Sequence, residues 1–258
     1  MSIHPTAIVD PRAKVPSSCH IGPFCTIGPD VELGERCHLV SHVVIEGPTR
    51  IGNDNHIFPF AVLGTAPQDL TYKGEPTRLE VGSNNEIREY VTMHRGTMKG
   101  GGLTKVGDSC LIMAYSHIAH DCHLGNNVMM ANAATLAGHV IIDDYAIIGA
   151  FCPVHQFVRI GRYSYIGGGT VITQDVLPFS KTSAARDVHA YGANSVGLQR
   201  RGFSPDRVRK IQHAFRVLLA SKLNTSQALE RLRGEGDLGD DVALLVEFIE
   251  KSERGIVK

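Results

Sequence analysis

One spacing dominates this sequence of 258 residues: an aliphatic side chain recurs at every sixth position. The first run extends from Ile3 to Leu63, and a later run extends from Val106 to Ile172. A six-residue period is typical of β-helices, in which each unit supplies one short strand and one corner. Three units form a triangular coil, and stacked coils bury their aliphatic side chains in one continuous core. The period therefore predicts a mainly β chain, with a parallel β-helix over residues 1–190.

The period is interrupted twice, near residues 64–78 and near residues 98–105. A solenoid can accommodate such an insertion only as an external loop, and these loops often line a binding face. The first insertion is rich in turn formers, polar groups and aromatic groups, whereas the second is flexible and basic. We expect the first insertion to line a functional site.

Residues 191–258 lose the six-residue period and take on a helical one. Ser204 followed by Pro205 is typical of a helix start, and apolar side chains then recur at helical spacing. Two further helices are expected, at about 225–233 and 240–253. The sequence predicts a C-terminal α-helical domain that caps the β-helix.

The charges balance, with 26 lysines and arginines against 26 acidic residues. A net charge of +0 gives no overall attraction to nucleic acid or to an anionic membrane, so we expect neither as a partner. No apolar run approaches the roughly 18 residues that span a bilayer, and the start at Met1 lacks a basic segment followed by an apolar one. These features predict a cytoplasmic protein with no membrane span.

All six cysteines share one register, four positions after a period residue. No two of them have the C-x-x-C spacing of redox or zinc motifs. A shared register predicts small core fillers, which is how free cysteine usually packs. The six are Cys19, Cys25, Cys37, Cys110, Cys122 and Cys152.

The densest group of reactive side chains lies in residues 116–123, where three histidines accompany Asp121. A neutral imidazole can act as a general base toward a substrate hydroxyl, with Asp121 orienting it. Three histidines are also a known zinc-binding set. Histidines can instead merely decorate β-helix corners, five positions after a period residue. His20, His38, His56, His117 and His123 all occupy that register. His120 does not, which favours it as the chemically active residue.

Three other histidines stand out by their local sequence: His94, His139 and His155. A histidine at a protein surface is more often structural than chemical. Gly138, however, immediately precedes His139, and its backbone N–H is unobstructed by a side chain. Such an N–H can stabilise a developing oxyanion.

Basic side chains concentrate at the start of the helical domain. Arg200 and Arg201 are adjacent, and planar guanidinium groups clamp phosphates well. Arg207, Arg209 and Lys210 extend this basic patch. A solvated basic turn is the alternative interpretation, but the additional cations favour a functional patch that suits an acidic macromolecular donor.

Seven strings of the sequence carry a resemblance to a known family. They are residues 68–78, 93–97, 100–107, 117–122, 136–140, 154–157 and 200–204. Together they resemble the acyl-carrier-protein–UDP-N-acetylglucosamine O-acyltransferases, over nearly the whole chain. The six-residue period alone indicates only a broader superfamily of acyltransferases and carbonic anhydrases.

The resemblance implies a left-handed parallel β-helix that assembles as a homotrimer with active sites between subunits. It implies transfer of a 3-hydroxyacyl chain from acyl carrier protein to the glucosamine 3-hydroxyl of UDP-N-acetylglucosamine. This step begins lipid A synthesis in Gram-negative bacteria. In the family pattern, His120 is the general base, Asp121 supports it and the Gly138 N–H stabilises the oxyanion. No metal or cofactor is implied, because the thioester is already activated.

The resemblance also assigns binding roles. Residues lining the nucleotide-sugar and acyl sites correspond to Gln68, Asp69, His94, His117, His139, His155, Gln156, Asn194 and Arg200. The carrier-protein docking region corresponds to Arg201, Arg207, Arg209 and Lys210. Gly168 corresponds to the acyl-length ruler, and the run of glycines there predicts a preference for longer chains. Where the family pattern has a lysine, this chain has Thr71, with Lys73 two positions farther on.

Three alternatives remain open at this point. A trimeric β-helix carbonic anhydrase would bind zinc across a subunit boundary, through His117 or His120 together with His123. The same kind of acyltransferase acting on the 3-amino analogue of the sugar would form an amide instead of an ester. A non-catalytic β-helix scaffold would use none of these residues chemically.

Overall fold

The computed structural model describes residues 2–184, 188–221, 223–236 and 239–257. Within these residues the chain winds through three sheets, and successive strands enter the sheets in rotation. Each strand pairs in parallel with the strand one coil earlier, except in the last hairpin. The prediction of a left-handed parallel β-helix followed by helices is confirmed.

The three sheets are the faces of the coil, and we call them sheets A, B and C. Sheet A contains Ser2–Ile3, His20–Ile21, His38–Leu39, His56–Ile57, Glu86–Ile87, Leu111–Ile112, Met129–Met130, Ile147–Ile148, Tyr165–Ile166, Ser180–Ala184 and Val188–Ala193. Sheet B contains Ile8–Val9, Thr26–Ile27, Val44–Ile45, Val62–Thr65, Thr92–His94, His117–Ile118, Thr135–Leu136 and Pro153–Val154. Sheet C contains Val31–Leu33, Thr49–Ile51, Arg78–Val81, Leu103–Val106, His123–Leu124, Ile141–Ile142 and Arg159–Ile160.

The period residues form the core, as the spacing predicts. Ile21, Leu39 and Ile57 are directly in register on consecutive coils of sheet A, and all three are fully buried. The six cysteines are free and buried, which confirms their prediction as core fillers. The thiol of Cys122, for example, donates to the carbonyl oxygen of Ala137 at 3.1 Å. This bond gives the Ala137 carbonyl a hydrogen-bond donor, which an alanine at position 122 would not supply.

The corners between sheets turn through residues with positive φ. At the corner between sheets B and C, the B/C corner, Asp121 has φ 60° and His139 has φ 63°. At the corner between sheets A and B, the A/B corner, Phe60 has φ 65° and Tyr90 has φ 61°. The left-handed conformation, uncommon for such residues, recurs coil after coil. It therefore belongs to the repeat and does not mark the chemical site.

Both interruptions leave the coil at the B/C corner. The first leaves after Val62–Thr65 and returns at Arg78–Val81, and the second leaves after Thr92–His94 and returns at Leu103–Val106. The strands before them are neighbours in sheet B. The next strand of that sheet is His117–Ile118. The fold thus stacks two loops and a histidine-rich corner directly above one another.

The described residues of the C-terminal part form four α-helices, α1 (Ser195–Arg200), α2 (Pro205–Phe215), α3 (Thr225–Gly234) and α4 (Asp240–Glu250). A π-helical turn at Arg216–Ala220 continues α2. The hydroxyl of Ser204 accepts from the backbone N–H of Arg207, as its assignment as an N-cap predicts. The sequence did not predict α1, which is only six residues long and contains Gly197.

The last helix ends three residues before its predicted end at 253, because the chain returns to the β-helix there. The hydroxyl of Ser252 donates to Asp175 Oδ2 at 2.8 Å, and Ile256 forms a parallel bridge with Asp175. Residues 237 and 238 of the predicted connection before α4 lie outside the described residues. None of the described helices has the length and apolar character needed to cross a bilayer.

Candidate active site

His120 and Asp121 form a hydrogen-bonded pair at the B/C corner. The imidazole Nδ1 lies 2.8 Å from Asp121 Oδ2. The Asp121 side chain is 1% exposed and that of His120 is 17% exposed. An ionised carboxylate can only accept, so Nδ1 carries the hydrogen and Nε2 keeps its lone pair. This tautomer is the one that a general base needs.

Gly138 lies against the ring of His120 from the next coil. A Cβ added to Gly138 would be 2.5 Å from Cε1 of His120 and 2.9 Å from Nε2. The close approach of the imidazole therefore explains why this position is glycine. Among the described residues, no acceptor is recorded for the Gly138 N–H. A donor without a protein partner, beside a base, is suited to an oxyanion.

Three further histidines surround the pair and are uncharged at neutral pH. Burial lowers the pKa of His94 to about 4, with His117 and His120 adding to the effect. Burial also lowers the pKa of His117. At His139 burial lowers the pKa and Asp121 partly opposes it. Neutral imidazoles can both donate and accept hydrogen bonds, so the cluster can bind hydroxyl and amide groups without repelling a protonated base.

The first loop brings Asp69 toward this cluster. Asp69 Oδ1 accepts from the backbone N–H of Thr71 at 2.7 Å and from its hydroxyl at 2.9 Å. These two bonds lower the pKa of Asp69, with smaller contributions from His120 and Lys99. Lys99 Nζ donates to the Thr71 hydroxyl at 3.2 Å. The second loop thus supplies a cation at the position where the resemblance predicted a lysine in the first loop.

The coil above Gly138 carries His155 and Gln156, both exposed. Phe157 stacks on His139 with ring centroids 4.5 Å apart, and its N–H donates to the Gly138 carbonyl at 3.2 Å. The two predicted binding residues therefore border the same corner. Gln68 is exposed in the first loop beside Asp69.

The remaining predicted substrate residues lie elsewhere on the chain. Gly168 is exposed at the A/B corner, whereas His120 lies at the B/C corner. Asn194 caps α1, accepting from Gly197 N–H at 3.3 Å and donating to the Tyr163 carbonyl at 3.2 Å. Tyr163 belongs to the third corner, between sheets C and A. One subunit thus distributes the predicted residues over all three corners.

Two of the predicted docking cations are engaged inside the subunit. Arg207 pairs with both carboxylate oxygens of Asp241 at 2.8 and 2.9 Å and stacks over Phe203. Arg201 lies over the ring of Tyr145 at 4.6 Å. Both guanidinium groups therefore have partners that fix their positions.

Arg209 and Lys210 differ from them in this respect. Arg209 is 73% exposed, and among the residues that the structure describes its ion-pair partner is the exposed Asp206, one turn earlier, at 3.2 Å. Lys210 lies beside Gly239, at the start of α4. Exposed pairs of this kind are weak, so Arg209 is available to an external anion.

Within one subunit, the three histidines of the zinc alternative do not converge. His117 is on the outer side of sheet B, whereas His123 is exposed on sheet C with Nε2 3.2 Å from the Leu103 carbonyl. Among the described residues, the one group of three side chains close enough to hold a metal is His120, Asp121 and His139. Its first two members are already hydrogen-bonded to each other.

Three residues of the site were missed from the sequence: Thr97, Lys99 and Thr104. Thr97 donates to Asp121 through its backbone N–H and through its hydroxyl. The Thr104 hydroxyl accepts from the Asp121 N–H at 2.8 Å. Thr97 and Thr104 lie in the strings that carried the resemblance, but the hexad pattern gave no reason to assign them a role.

Known proteins resemble this chain over its full length. A profile of bacterial transferase hexapeptide repeats matches residues 12–47 and 103–138, and a profile described as UDP-N-acetylglucosamine O-acyltransferase, domain 2, matches residues 175–257. The acyl-[acyl-carrier-protein]–UDP-N-acetylglucosamine O-acyltransferases of Thermodesulfovibrio yellowstonii and Alkalilimnicola ehrlichii are 49% and 51% identical, covering 99% of both chains. The solved structure of the Francisella novicida UDP-N-acetylglucosamine acyltransferase is 40% identical with a TM-score of 0.96, covering 99% of this chain and 93% of that one.

The sequence identity is near one half over the whole length and the fold is the same, so no part of the chain indicates a different family. The chain belongs to the UDP-N-acetylglucosamine O-acyltransferase family.

Proposed function

We propose that this chain transfers a 3-hydroxyacyl group from acyl carrier protein to the glucosamine 3-hydroxyl of UDP-N-acetylglucosamine, the first step of lipid A biosynthesis. The observation that carries the proposal is the His120–Asp121 pair with Gly138 against its ring, in a chain that matches acyltransferases of that name from end to end. A base with a free Nε2 suits a hydroxyl acceptor.

The reaction needs one base and one oxyanion donor. Nε2 of His120 takes the proton of the 3-hydroxyl as its oxygen bonds to the thioester carbonyl carbon. The negative charge on the carbonyl oxygen is met by the Gly138 N–H. When the carbon–sulfur bond breaks, the imidazolium returns the proton to the departing thiolate, so that the products are the ester and the free thiol. Asp121 holds the ring and stabilises its cation between the two steps.

We propose that the active unit is a homotrimer with sites between subunits. The distribution of the predicted residues supports this, because His120 and Gly168 lie at two different corners of the β-helix and Asn194 contacts the third corner through the Tyr163 carbonyl. Corners of one prism point away from one another. Only a neighbouring copy can bring a second corner to the first, and a three-sided prism is compatible with threefold packing.

An exposed aromatic column supports the same assembly. Along the A/B corner, rings from five consecutive coils stack with centroids 4.8 to 5.0 Å apart, and the end members Phe24 and Tyr115 are 56% and 61% exposed. The column consists of Phe24, His42, Phe60, Tyr90 and Tyr115. A continuous exposed aromatic column is unusual on a monomer, and a second copy of the chain would bury it.

The proposed donor is an acidic carrier protein, and Arg209 and Lys210 are the cations we expect it to meet first. Arg201 and Arg207 would present guanidinium groups already fixed by Tyr145 and Asp241. We also propose a cytoplasmic location, where acyl carrier protein and nucleotide sugars are made. We expect longer acyl chains to be preferred, since Gly168 offers no side chain to stop them.

The test is acyl transfer from a panel of 3-hydroxyacyl carrier proteins to UDP-N-acetylglucosamine, with the 3-amino analogue as a second acceptor. His120→Ala should lower the rate of transfer by about 10²- to 10⁴-fold. His123→Ala is the matched control, because that histidine is exposed on another face, and it should leave the rate unchanged. Size-exclusion chromatography with light scattering gives the oligomeric state of every variant.

Each outcome decides one part of the proposal. Activity that survives His120→Ala would remove the base from its role. Faster transfer to the 3-amino sugar would replace ester formation by amide formation. Loss of activity in His123→Ala, together with bound zinc and carbon dioxide hydration, would favour the hydratase. A ten-carbon donor that reacts faster than a fourteen-carbon donor would contradict the expected preference for long chains.

A further inference from the structure

The carboxylate of Asp121 is held from two sides. His120 Nδ1 lies 2.8 Å from Oδ2. From the second loop, the backbone N–H of Thr97 donates to Oδ1 at 2.7 Å and the hydroxyl of Thr97 donates to Oδ2 at 2.6 Å. Asp121 and Thr97 are both buried, at 5% and 4% exposure. One threonine therefore supplies two of the three hydrogen bonds to a buried carboxylate next to the base.

The second loop is folded directly onto this carboxylate. A Cβ added to Gly100 would lie 2.1 Å from Asp121 Cγ and 2.4 Å from each carboxylate oxygen, and one added to Gly96 would lie 2.8 Å from Oδ1. Thr97 also caps the short 3-10 helix Met98–Gly100, because its side chain accepts from the Gly100 N–H. The absence of side chains at Gly96 and Gly100 allows the loop to contact the Asp121 carboxylate, and the hydrogen bonds from Thr97 hold the carboxylate in place.

Oδ2 of Asp121 has a competing histidine. His139 Nε2 lies 3.7 Å from Oδ2. The terminal torsion of an aspartate is broad, so the carboxylate turns easily if its donors are removed. Turning toward His139 would weaken the bond that sets the tautomer of His120. The hydroxyl of Thr97 is the donor that opposes this turn.

We propose that Thr97 is a positioning residue for the acyl transfer, which holds the Asp121 carboxylate so that Nδ1–H of His120 stays bonded to it and Nε2 faces the substrate. This inference rests on the proposed function. The second loop then acts on the base through Asp121, in addition to any contact that it makes with substrate. Misplacing a catalytic group by about 1 Å can cost on the order of 10²-fold in rate.

The test compares Thr97→Val, which removes the hydroxyl and keeps the shape, with Thr97→Ser, which keeps the hydroxyl. Thr97→Val should lower kcat by about 10- to 100-fold and leave KM for UDP-N-acetylglucosamine within about twofold, while Thr97→Ser should keep most of the activity. Thr49→Val is the matched control, because the buried Thr49 hydroxyl donates to the Glu46 carbonyl and touches neither His120 nor Asp121. It should retain the wild-type kcat.

A readout independent of turnover is the hydrogen-bonded Nδ1 proton of His120 in the NMR spectrum of the intact assembly, assigned by its loss in His120→Ala. We expect Thr97→Val to shift or broaden this signal and Thr97→Ser to keep it. Gly100→Ala, which displaces the carboxylate from the same loop, should reproduce the effect of Thr97→Val on both kcat and the proton signal. This variant provides the test if Thr97→Val does not fold.

The inference is overturned if Thr97→Val keeps kcat within about threefold of the wild type, or loses it with the proton signal unchanged. A fall in kcat that Thr97→Ser shares would also count against it, because the hydroxyl is then not the cause. If the wild type transfers no acyl group, the proposed function fails. The proton signal would still decide whether Thr97 holds the pair.

Discussion

Replacing Gly138 with alanine should separate the two roles that this corner has in the proposed mechanism. Alanine keeps the backbone N–H that is assigned to the oxyanion. Its methyl group, however, would lie 2.5 Å from Cε1 and 2.9 Å from Nε2 of His120. Since Gly138 does not have positive φ, alanine is compatible with the backbone here. The substitution is therefore directed at the position of the base.

The size of the effect follows from these distances. Ordinary van der Waals contact begins near 3.4 Å, so the ring must retreat by about 0.9 Å. Asp121 resists this movement through its bond to Nδ1, and the coil carrying the methyl group is fixed by parallel pairing. A misplacement of about 1 Å costs on the order of 10²-fold in rate. We expect kcat to fall by about that factor, with KM for the nucleotide sugar little changed.

The assay is steady-state acyl transfer with both substrates varied, on protein shown to keep the wild-type oligomeric state and midpoint of thermal unfolding. Gly28→Ala is the matched control, since its added Cβ would meet its nearest neighbour at 3.4 Å, an ordinary contact. It should retain full activity. A Gly138→Ala protein with kcat within about threefold of the wild type would refute the argument, because the base would then tolerate the displacement.

Three further predictions concern residues around the pair and the proposed docking surface. Lys99→Met removes the hydrogen bond to Thr71 that joins the two loops. It should raise KM for UDP-N-acetylglucosamine by about threefold to tenfold, with a smaller change in kcat. An unchanged KM would exclude Lys99 from acceptor binding. The pKa of His94 is lowered to about 4. As the pH falls from about 6.5 to 4, the unfolded chain therefore binds a proton at His94 that the folded chain does not bind, which favours unfolding. Denaturant unfolding at fixed subunit concentration should show a fall in stability over that range to which His94 contributes about 3 kcal/mol, so His94→Gln should lose less. Arg209→Glu should raise KM for the carrier protein and weaken the salt dependence of that KM, without changing KM for the sugar. Arg12→Glu, at the opposite end of the β-helix, should change neither KM value.

The fold followed from the sequence because one physical constraint repeats. Each coil must bury its period residues, and a slip of one residue would turn Ile21 or Leu39 outward. The same register identified the cysteines as core residues. Helix α2 followed from the Ser204 cap, a local signal. Helix α1 and the end of α4 did not, because both depend on contacts with the last coils, through Tyr163 and Asp175.

The contacts of the base were harder to predict. Its position outside the decorating register distinguishes His120, but nothing in the spacing shows that Thr97, 24 residues away from Asp121, would reach its carboxylate. That contact depends on how the second loop folds. Likewise, Lys99 and Thr71 are 28 residues apart and lie in different loops. Their contact could not be predicted, because a six-residue period does not determine loop conformation.

The stacking of coils explains why the site is at this corner. A β-helix places loops from successive coils one above another, so two insertions at the same corner necessarily meet. Here they meet beside the one corner at which a histidine precedes the left-handed aspartate, Asp121, and a glycine lies on the coil above. At the A/B corner the left-handed positions of two successive coils are held by Phe60 and Tyr90, whose aromatic rings stack on one another. The same backbone geometry thus gives a packing column at one corner and an acid–base pair at another, and the insertions supply the donors that the bare coil lacks.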